Sequence, residues 1–209
     1  MKRIFIAAKV KREPDYLKLK NSIKEIPEKN IAICYSNQFV EVAKKLEKIL
    51  DKNIVYKTQI LGCSNPSFPK ETQAIVAITE GKFHSVSLAY ESKLPTYALE
   101  GNKIQKVSEE LIEKRRKKEK GAYLKFLNAN NIGILVSTKP GQERLQKAIQ
   151  FSKKITNKKS YIFVANDLNS SEFENFQIET WVNTACPRMD LTDDNIMNLD
   201  KLEELQKEK

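Results

Sequence analysis

The feature that most narrows what this chain can fold into is a rhythm. Short, unbroken apolar runs alternate with longer stretches of helical periodicity. Residues 74–79 read Ala-Ile-Val-Ala-Ile-Thr, a run typical of a strand covered on both faces. Strands are also expected over 2–8, 30–35, 54–61 and, more briefly, 95–99. Between them, Tyr16, Leu17, Leu19, Ile23 and Ile26 follow Pro14-Asp15 at helical spacing, and Val40, Val42, Ala43, Leu46 and Leu50 repeat the pattern. Ser36 is the expected N-cap of that second helix, over 37–50. A short helix is expected over 82–90. Strands alternating with helices predict parallel pairing through crossover connections.

The rhythm breaks once and then restarts. Residues 107–130 form one long helical stretch whose apolar positions gather at its ends: Val107, Leu111 and Ile112, then Tyr123, Leu124, Phe126 and Leu127. Its middle, from Glu113 to Lys120, has no apolar residue, which predicts a helix bridging two domains with an exposed centre. Strands then follow over 132–137, 161–165 and 180–184, the last of the chain. A helix runs to about Ile155, a short one spans 168–176, and a charged one spans 199–207. The expected fold class is α/β, with two tandem small parallel-sheet domains linked by a long helix. The first covers 1–105, the linking helix 106–130, and the second 131–209.

Bulk properties exclude some classes. No apolar run reaches the roughly 18 residues a membrane helix needs. The basic N-terminal stretch has no adequate hydrophobic region or cleavage site, since Lys9, Lys11 and Arg12 follow at once. A cytoplasmic location with no membrane association is expected. The net charge of +10 comes from 37 basic and 27 acidic residues spread along the chain, so lysine as a general surface residue explains it best. The densest basic run, Lys114-Arg-Arg-Lys-Lys-Glu-Lys120, fits a solvated helix face better than direct nucleic-acid contact.

Chemistry is expected beyond the carboxyl ends of the parallel strands. The sequence contains three cysteines, Cys34, Cys63 and Cys186, and none sits in a C-x-x-C pair. Cys34 lies inside an apolar strand and reads as a small buried hydrophobe. Cys63 follows the third strand, and Cys186 follows the last one, where Pro187 cannot continue a ladder. Spacing alone leaves these two as either unrelated loop thiols or partners in one site. The only histidine, His84, closes Gly81-Lys-Phe-His84 at the start of a helix, where free N–H groups favour anions. A satisfied polar role is the plainer account of it. Thr138-Lys-Pro-Gly-Gln142 has the same placement in the second half and lacks the Gly-Lys-Ser/Thr order of a Walker motif.

Four segments together resemble one family. Leu61-Gly-Cys63, Gly81-Lys-Phe-His84, the stretch from Gly133 to Gln142 and Val182-Asn-Thr-Ala-Cys-Pro-Arg188 are similar, in order, to the motifs of the diphthamide synthesis proteins, the archaeal-type 2-(3-amino-3-carboxypropyl)histidine synthases. The pair Asp193-Asp194 follows as in the family. The resemblance covers essentially the whole chain but only the second and third of the family's three α/β domains. It implies a 4Fe–4S cluster held by three cysteines, one per domain, whose open iron engages S-adenosylmethionine (SAM). Reductive cleavage of a C–S bond then gives a 3-amino-3-carboxypropyl radical. That radical modifies a histidine of translation elongation factor 2, the first step to diphthamide. By resemblance, Cys63 and Cys186 are the metal ligands, and Gly81, Lys82, His84, Lys139 and Gln142 belong to the SAM or cluster surround. Thiolate ligation of such a cluster leaves one iron position for substrate.

The chain departs from the family in two ways. The domain bearing the first cysteine has no counterpart, and Cys34 falls on an interior strand of the second domain. Two thiolates do not hold a cubane, so the resemblance implies a split enzyme whose partner chain supplies the first domain and the third ligand. The other departure is Glu119 in the linking helix, where the family has an arginine; Arg115 and Arg116 lie about one turn earlier. A non-catalytic scaffold, an electron-delivery partner and a basic RNA- or ribosome-binding module are the competing readings. The roles of Asp190, Asp193 and Asp194 stay open, with helix-start capping as good an account as any, and a dimer stays open as well.

Overall fold

The computed structural model describes residues 10, 13–61, 64–169, 172, 175–191 and 195–207. The strand expected over 2–8 therefore lies outside the described residues. The chain divides into two compact units, Met1–Arg115 and Arg116–Lys209. Each is α/β, as the strand–helix rhythm predicts.

The first unit contains α1 (Tyr16–Lys24), β1 (Asn30–Tyr35), α2 (Val40–Ile49), β2 (Asn53–Gln59), β3 (Ala74–Ile78), α3 (Phe83–Ser92), β4 (Thr96–Glu100) and β5 (Lys103–Lys106). Its sheet runs in the order β2-β1-β3-β4-β5. β1 pairs parallel with β2 and β3, and β3 pairs parallel with β4. Strand alternation sorts the side chains onto two faces. Ile31, Ile33, Ala74, Val76 and Ile78 pack with Leu19 and Ile23 of α1 and Val42 and Leu46 of α2. On the other face, Ala32, Cys34, Ile75 and Ala77 meet Leu88 of α3. Three of those four strand residues are small, so a helix fits closely over this face. Asp15 starts α1 by accepting hydrogen bonds from the N–H groups of Leu17 and Lys18, each at 3.1 Å.

Three expectations need correction here. β5 pairs antiparallel with β4, so the sheet carries one reversed edge strand. Its turn, Gly101-Asn102, uses a positive φ of 61° at Gly101, which glycine adopts without steric cost. Ser36 does not cap an α-helix: residues Asn37–Phe39 form a 3-10 turn, the α-helix starts only at Val40, and no side-chain cap bond is made by Ser36. The middle of the long helix α4 (Glu109–Asn128) is only partly exposed, with Arg115, Lys118 and Glu119 half-buried and Lys114, Arg116, Lys117 and Lys120 exposed.

The second unit contains β6 (Asn131–Ser137), α5 (Leu145–Lys154), β7 (Lys159–Ala165), β8 (Thr180–Asn183), β9 (Ile196–Asn198) and α6 (Leu199–Lys207). Its sheet runs β7-β6-β8-β9, with every pairing parallel. Ile132, Ile134, Val136, Val182 and Met197 face Phe126, Phe151 and Leu202. Leu135, Trp181 and Ile196 occupy the opposite face with Phe163 and Met189 packed beside them. Gly133 stands opposite Trp181 in the ladder, and a Cβ there would lie 2.2 Å from the indole. Glycine is thus required on β6 by the ring on β8.

Two expectations change in this unit as well. The strand at 180–184 ends at Asn183 and is not the last, because β9 pairs with it. β9 has only three residues, too short for its period to register in the sequence. The helix expected over 168–176 falls partly outside the described residues, and residues 168, 169, 175 and 176 are not α-helical.

Candidate metal-ligand loops at the strand ends

Cys186 lies three residues beyond the end of β8, at the carboxyl edge of the second sheet. It is half-buried and forms no disulfide. What holds it is a set of buried polar groups on β8 and β9. Asn183 and Asn198 are ladder partners at the ends of these strands, and both are buried. Asn183 Nδ2 donates to the Cys186 carbonyl at 2.8 Å and to Asn198 Oδ1 at 2.7 Å, while Asn183 Oδ1 accepts the Ala185 N–H at 2.9 Å. Asn198 Nδ2 donates to the Pro187 carbonyl at 2.9 Å. Thr184 bonds back to β6, its N–H and Oγ1 both donating to the Leu135 carbonyl at 3.0 and 2.8 Å. The Met189 N–H closes on the Cys186 carbonyl at 3.1 Å, inside the 3-10 turn Pro187–Leu191. Four consecutive residues, 184 to 187, are therefore fixed through their backbone, and none of these bonds uses the thiol.

Cys63 lies outside the described residues, as does Gly62. Its flanks are described. The Leu61 N–H donates to Ser64 Oγ at 2.7 Å, and the Ser64 N–H donates to the Leu61 carbonyl at 3.0 Å. Leu61 and Ser64 line a small cavity of about 30 Å³ together with Phe83 and His84. His84 is thus brought beside the residues that bracket position 63. Its ring meets that of Phe83 edge-on, with centroids 5.1 Å apart.

Gly81 and Lys82 go elsewhere. They border a wide crevice of about 1020 Å³ at the carboxyl ends of β3 and β4, with Thr79, Glu80, Glu100 and Asn102 on its walls. Gly81 takes a positive φ of 71°, and Lys82 pairs with Glu100 at 3.6 Å. The motif Gly81–His84 therefore divides between two sides of one helix start.

Lys139 and Gln142 form a β-turn: the Gln142 N–H donates to the Lys139 carbonyl at 3.0 Å, and Gly141 sits at φ 84° after Pro140. The Lys139 ammonium pairs with Asp167, and this pair, with Asn166, holds the Asp167 carboxyl below its ordinary value. Asp190 falls in the 3-10 turn after Cys186, and Asp193 and Asp194 lie outside the described residues. Cys34 is fully buried on β1, and burial pushes its thiol up to about 12. It packs among Ala32, Ile75, Ala77 and Leu88, the place of a small buried hydrophobe.

The sequence places Asn183 and Thr184 in the motif 182–188 without giving them a role, and it does not point to Asn198. A faint signal exists in the repeat of two apolar residues and an asparagine, Trp181-Val-Asn183 and Ile196-Met-Asn198.

The model of the diphthamide synthesis protein family matches residues 1–196. The chain belongs to that family. It is 30% identical over 146 residues to 2-(3-amino-3-carboxypropyl)histidine synthase of Pyrococcus horikoshii, covering 68% of this chain and 42% of that relative. The crystal structure of Dph2 from Pyrococcus horikoshii superposes with a TM-score of 0.75 at 26% identity, covering 90% of this chain and 61% of that one. The Dph2 structure that contains a 4Fe–4S cluster matches with a TM-score of 0.74, also at 26% identity, covering 90% of this chain and 62% of that one. The chain thus spans less than two thirds of these relatives.

The residues present can be tested against such a cluster. A half-buried, unbridged thiol on a pinned backbone at a strand end suits a soft metal ligand. Among the described residues, no group of three or more His, Cys, Asp or Glu side chains could hold a metal ion. Cys186 would therefore be one ligand of a set completed by residues outside those described. Among the described residues, no helix is long and apolar enough to cross a membrane.

Proposed function

We propose that this chain is part of the iron–sulfur enzyme that moves the 3-amino-3-carboxypropyl group of SAM onto a histidine of translation elongation factor 2, opening diphthamide biosynthesis. The observation that carries this reading is Cys186, a half-buried thiol at a strand end on a pinned backbone, within a chain of the diphthamide synthesis family. Cys186 and Cys63 would hold a 4Fe–4S cluster. When bound, the cluster supplies an electron and an open iron position.

The remaining work falls to the chain's own residues. Gly81 and Lys82 border a crevice whose size suits a small molecule, and we assign them to SAM binding. His84 belongs to the surround of Cys63. The Lys139 ammonium already pairs with Asp167 and the Gln142 N–H closes the turn on Lys139, so these two residues would act by shaping the end of β6. Since Cys34 is fully buried among Ala32, Ile75 and Ala77, we assign the third thiolate to protein outside these 209 residues, with a partner chain as its expected source.

Anaerobic reconstitution with iron and sulfide, with the chain co-purified with whatever accompanies it in its host, tests this. The broad visible absorbance of a cluster should appear, disappear in Cys63→Ala and in Cys186→Ala, and survive in Cys34→Ala. Cluster retained in Cys186→Ala would overturn the assignment. Cluster formation without transfer of the SAM side chain would favour a scaffold or electron-delivery role.

A further inference from the structure

The amide groups beneath Cys186 point to a role that goes beyond ligation. We infer that Asn183 and Asn198 form a positioning clamp that sets where the Cys186 thiol is presented, a conclusion that rests on Cys186 being a cluster ligand. Their bonds to the loop go to its backbone. Asn183 spends every hydrogen-bonding group of its amide: Oδ1 on the Ala185 N–H, Nδ2 on the Cys186 carbonyl and on Asn198 Oδ1. Asn198 extends the grip by one residue, to the Pro187 carbonyl. The peptide groups that follow Cys186 and Pro187 and the one that precedes Ala185 are thus tied to the ends of two paired strands, so the backbone that carries the cysteine is held from both directions by the sheet.

The donor and acceptor types also matter. Two carbonyl oxygens, on Cys186 and Pro187, and one N–H, on Ala185, need partners in a buried place. An amide offers both kinds from one planar group. A carboxylate of the same shape offers only acceptors and would face the carbonyl oxygens with like partial charge. Alternative partners are scarce, because Asn183 is 2% and Asn198 9% exposed. Outer groups that orient metal ligands typically change metal affinity by about 10- to 100-fold when removed. The clamp differs from most in acting on the ligand's backbone.

The test uses the full chain, reconstituted with its accompanying partner, in three forms: unaltered, Asn198→Asp and Cys186→Ala. Asn198→Asp should lose its cluster to a chelator at least about tenfold faster than the unaltered protein and shift the electron paramagnetic resonance g-values of the reduced cluster. A substitution that merely loosened the fold would leave the g-values of the remaining cluster in place. Unchanged g-values and chelation rate, with the cluster absent from Cys186→Ala, would overturn the clamp and leave the proposed function standing. A cluster that persists in Cys186→Ala would overturn both. Amide hydrogen exchange on the unaltered chain decides the matter even if Asn198→Asp fails to fold. The Ala185 N–H should exchange as slowly as those of β8, and exchange at the rate of an unstructured peptide would overturn the clamp.

Discussion

The two cysteine loops leave their sheets from different kinds of strand. Cys186 follows β8, an interior strand between β6 and β9 with all four residues buried. Cys63 follows β2, the edge strand of its sheet, where no residue is fully buried. The described flank of Cys63 is correspondingly open: Leu61 is 59% exposed, and its N–H finds a local serine hydroxyl. The flank of Cys186 is tied to three strands, by Thr184 to β6, by Asn183 to β8 itself and by Asn198 to β9. The described flanks of two cysteines with the same place in sequence, just past a strand, therefore differ in how firmly the fold supports them. An interior strand has neighbours on both sides that can hold its exit, and an edge strand has one.

The largest effect that would probe this contrast lies beneath the Cys186 loop. Gly133→Ala places a methyl group against the Trp181 ring, which is held in turn by Phe163 with ring centroids 4.9 Å apart. Overpacking of this kind costs about 1–3 kcal/mol. Trp181 is the single tryptophan, so its fluorescence during urea unfolding reads the second unit directly. An unchanged midpoint would show that the interior support yields easily.

A paired comparison sharpens the point. Thr184→Val removes a buried hydroxyl bond to the Leu135 carbonyl and should cost about 1 kcal/mol. Ser64→Ala removes the bond to the exposed Leu61 N–H, which water replaces, and should cost no more than about 0.5 kcal/mol. Urea unfolding followed by circular dichroism ranks the two, and the opposite order would break the contrast.

The smallest expected effect is electrostatic. Burial on its own would raise the Asp200 carboxyl, but Lys147 and then Arg144, at 2.9 Å, more than offset it and hold it below its ordinary value. A depressed carboxylate adds stability above its unfolded value of about 3.9 and loses it as pH falls through the lower folded value. This pair is half exposed, so Asp200→Asn should cost about 0.5 kcal/mol at neutral pH. The gap to the unaltered protein should close as the pH falls below about 4. A gap that persists in acid would assign the loss to packing.

Much of this architecture is legible in the residues. Burial on both faces makes β1, β3 and β6 continuous apolar runs, and the apolar stripe of α6 sets its bounds at Leu199–Lys207. The elements that escape are those whose identity comes from a neighbour. β5 reads Lys-Ile-Gln-Lys with a single buried position, and it is a strand only because a turn at Gly101 returns it to β4. β9 is three residues long and gains its role by pairing with β8. The site divides in the same way. A thiol before a proline is visible in the sequence, but its support from Asn198 is not, because the two meet only across a ladder. The motif at Gly81–His84 looks like one unit, yet a single helix start sends its members to two different cavities.

β9 also imposes an order in time. Asn198 follows Cys186 by twelve positions, so it leaves the ribosome after the cysteine does. Until β9 has paired with β8, the Pro187 carbonyl has no partner from Asn198 and the amide of Asn183 lacks one of its three bonds. The cysteine is thus synthesised before the structure that aims it. A metal that reached Cys186 during synthesis would meet a loop still free to turn, and one that arrived after β9 had docked would meet a thiol on a backbone already held.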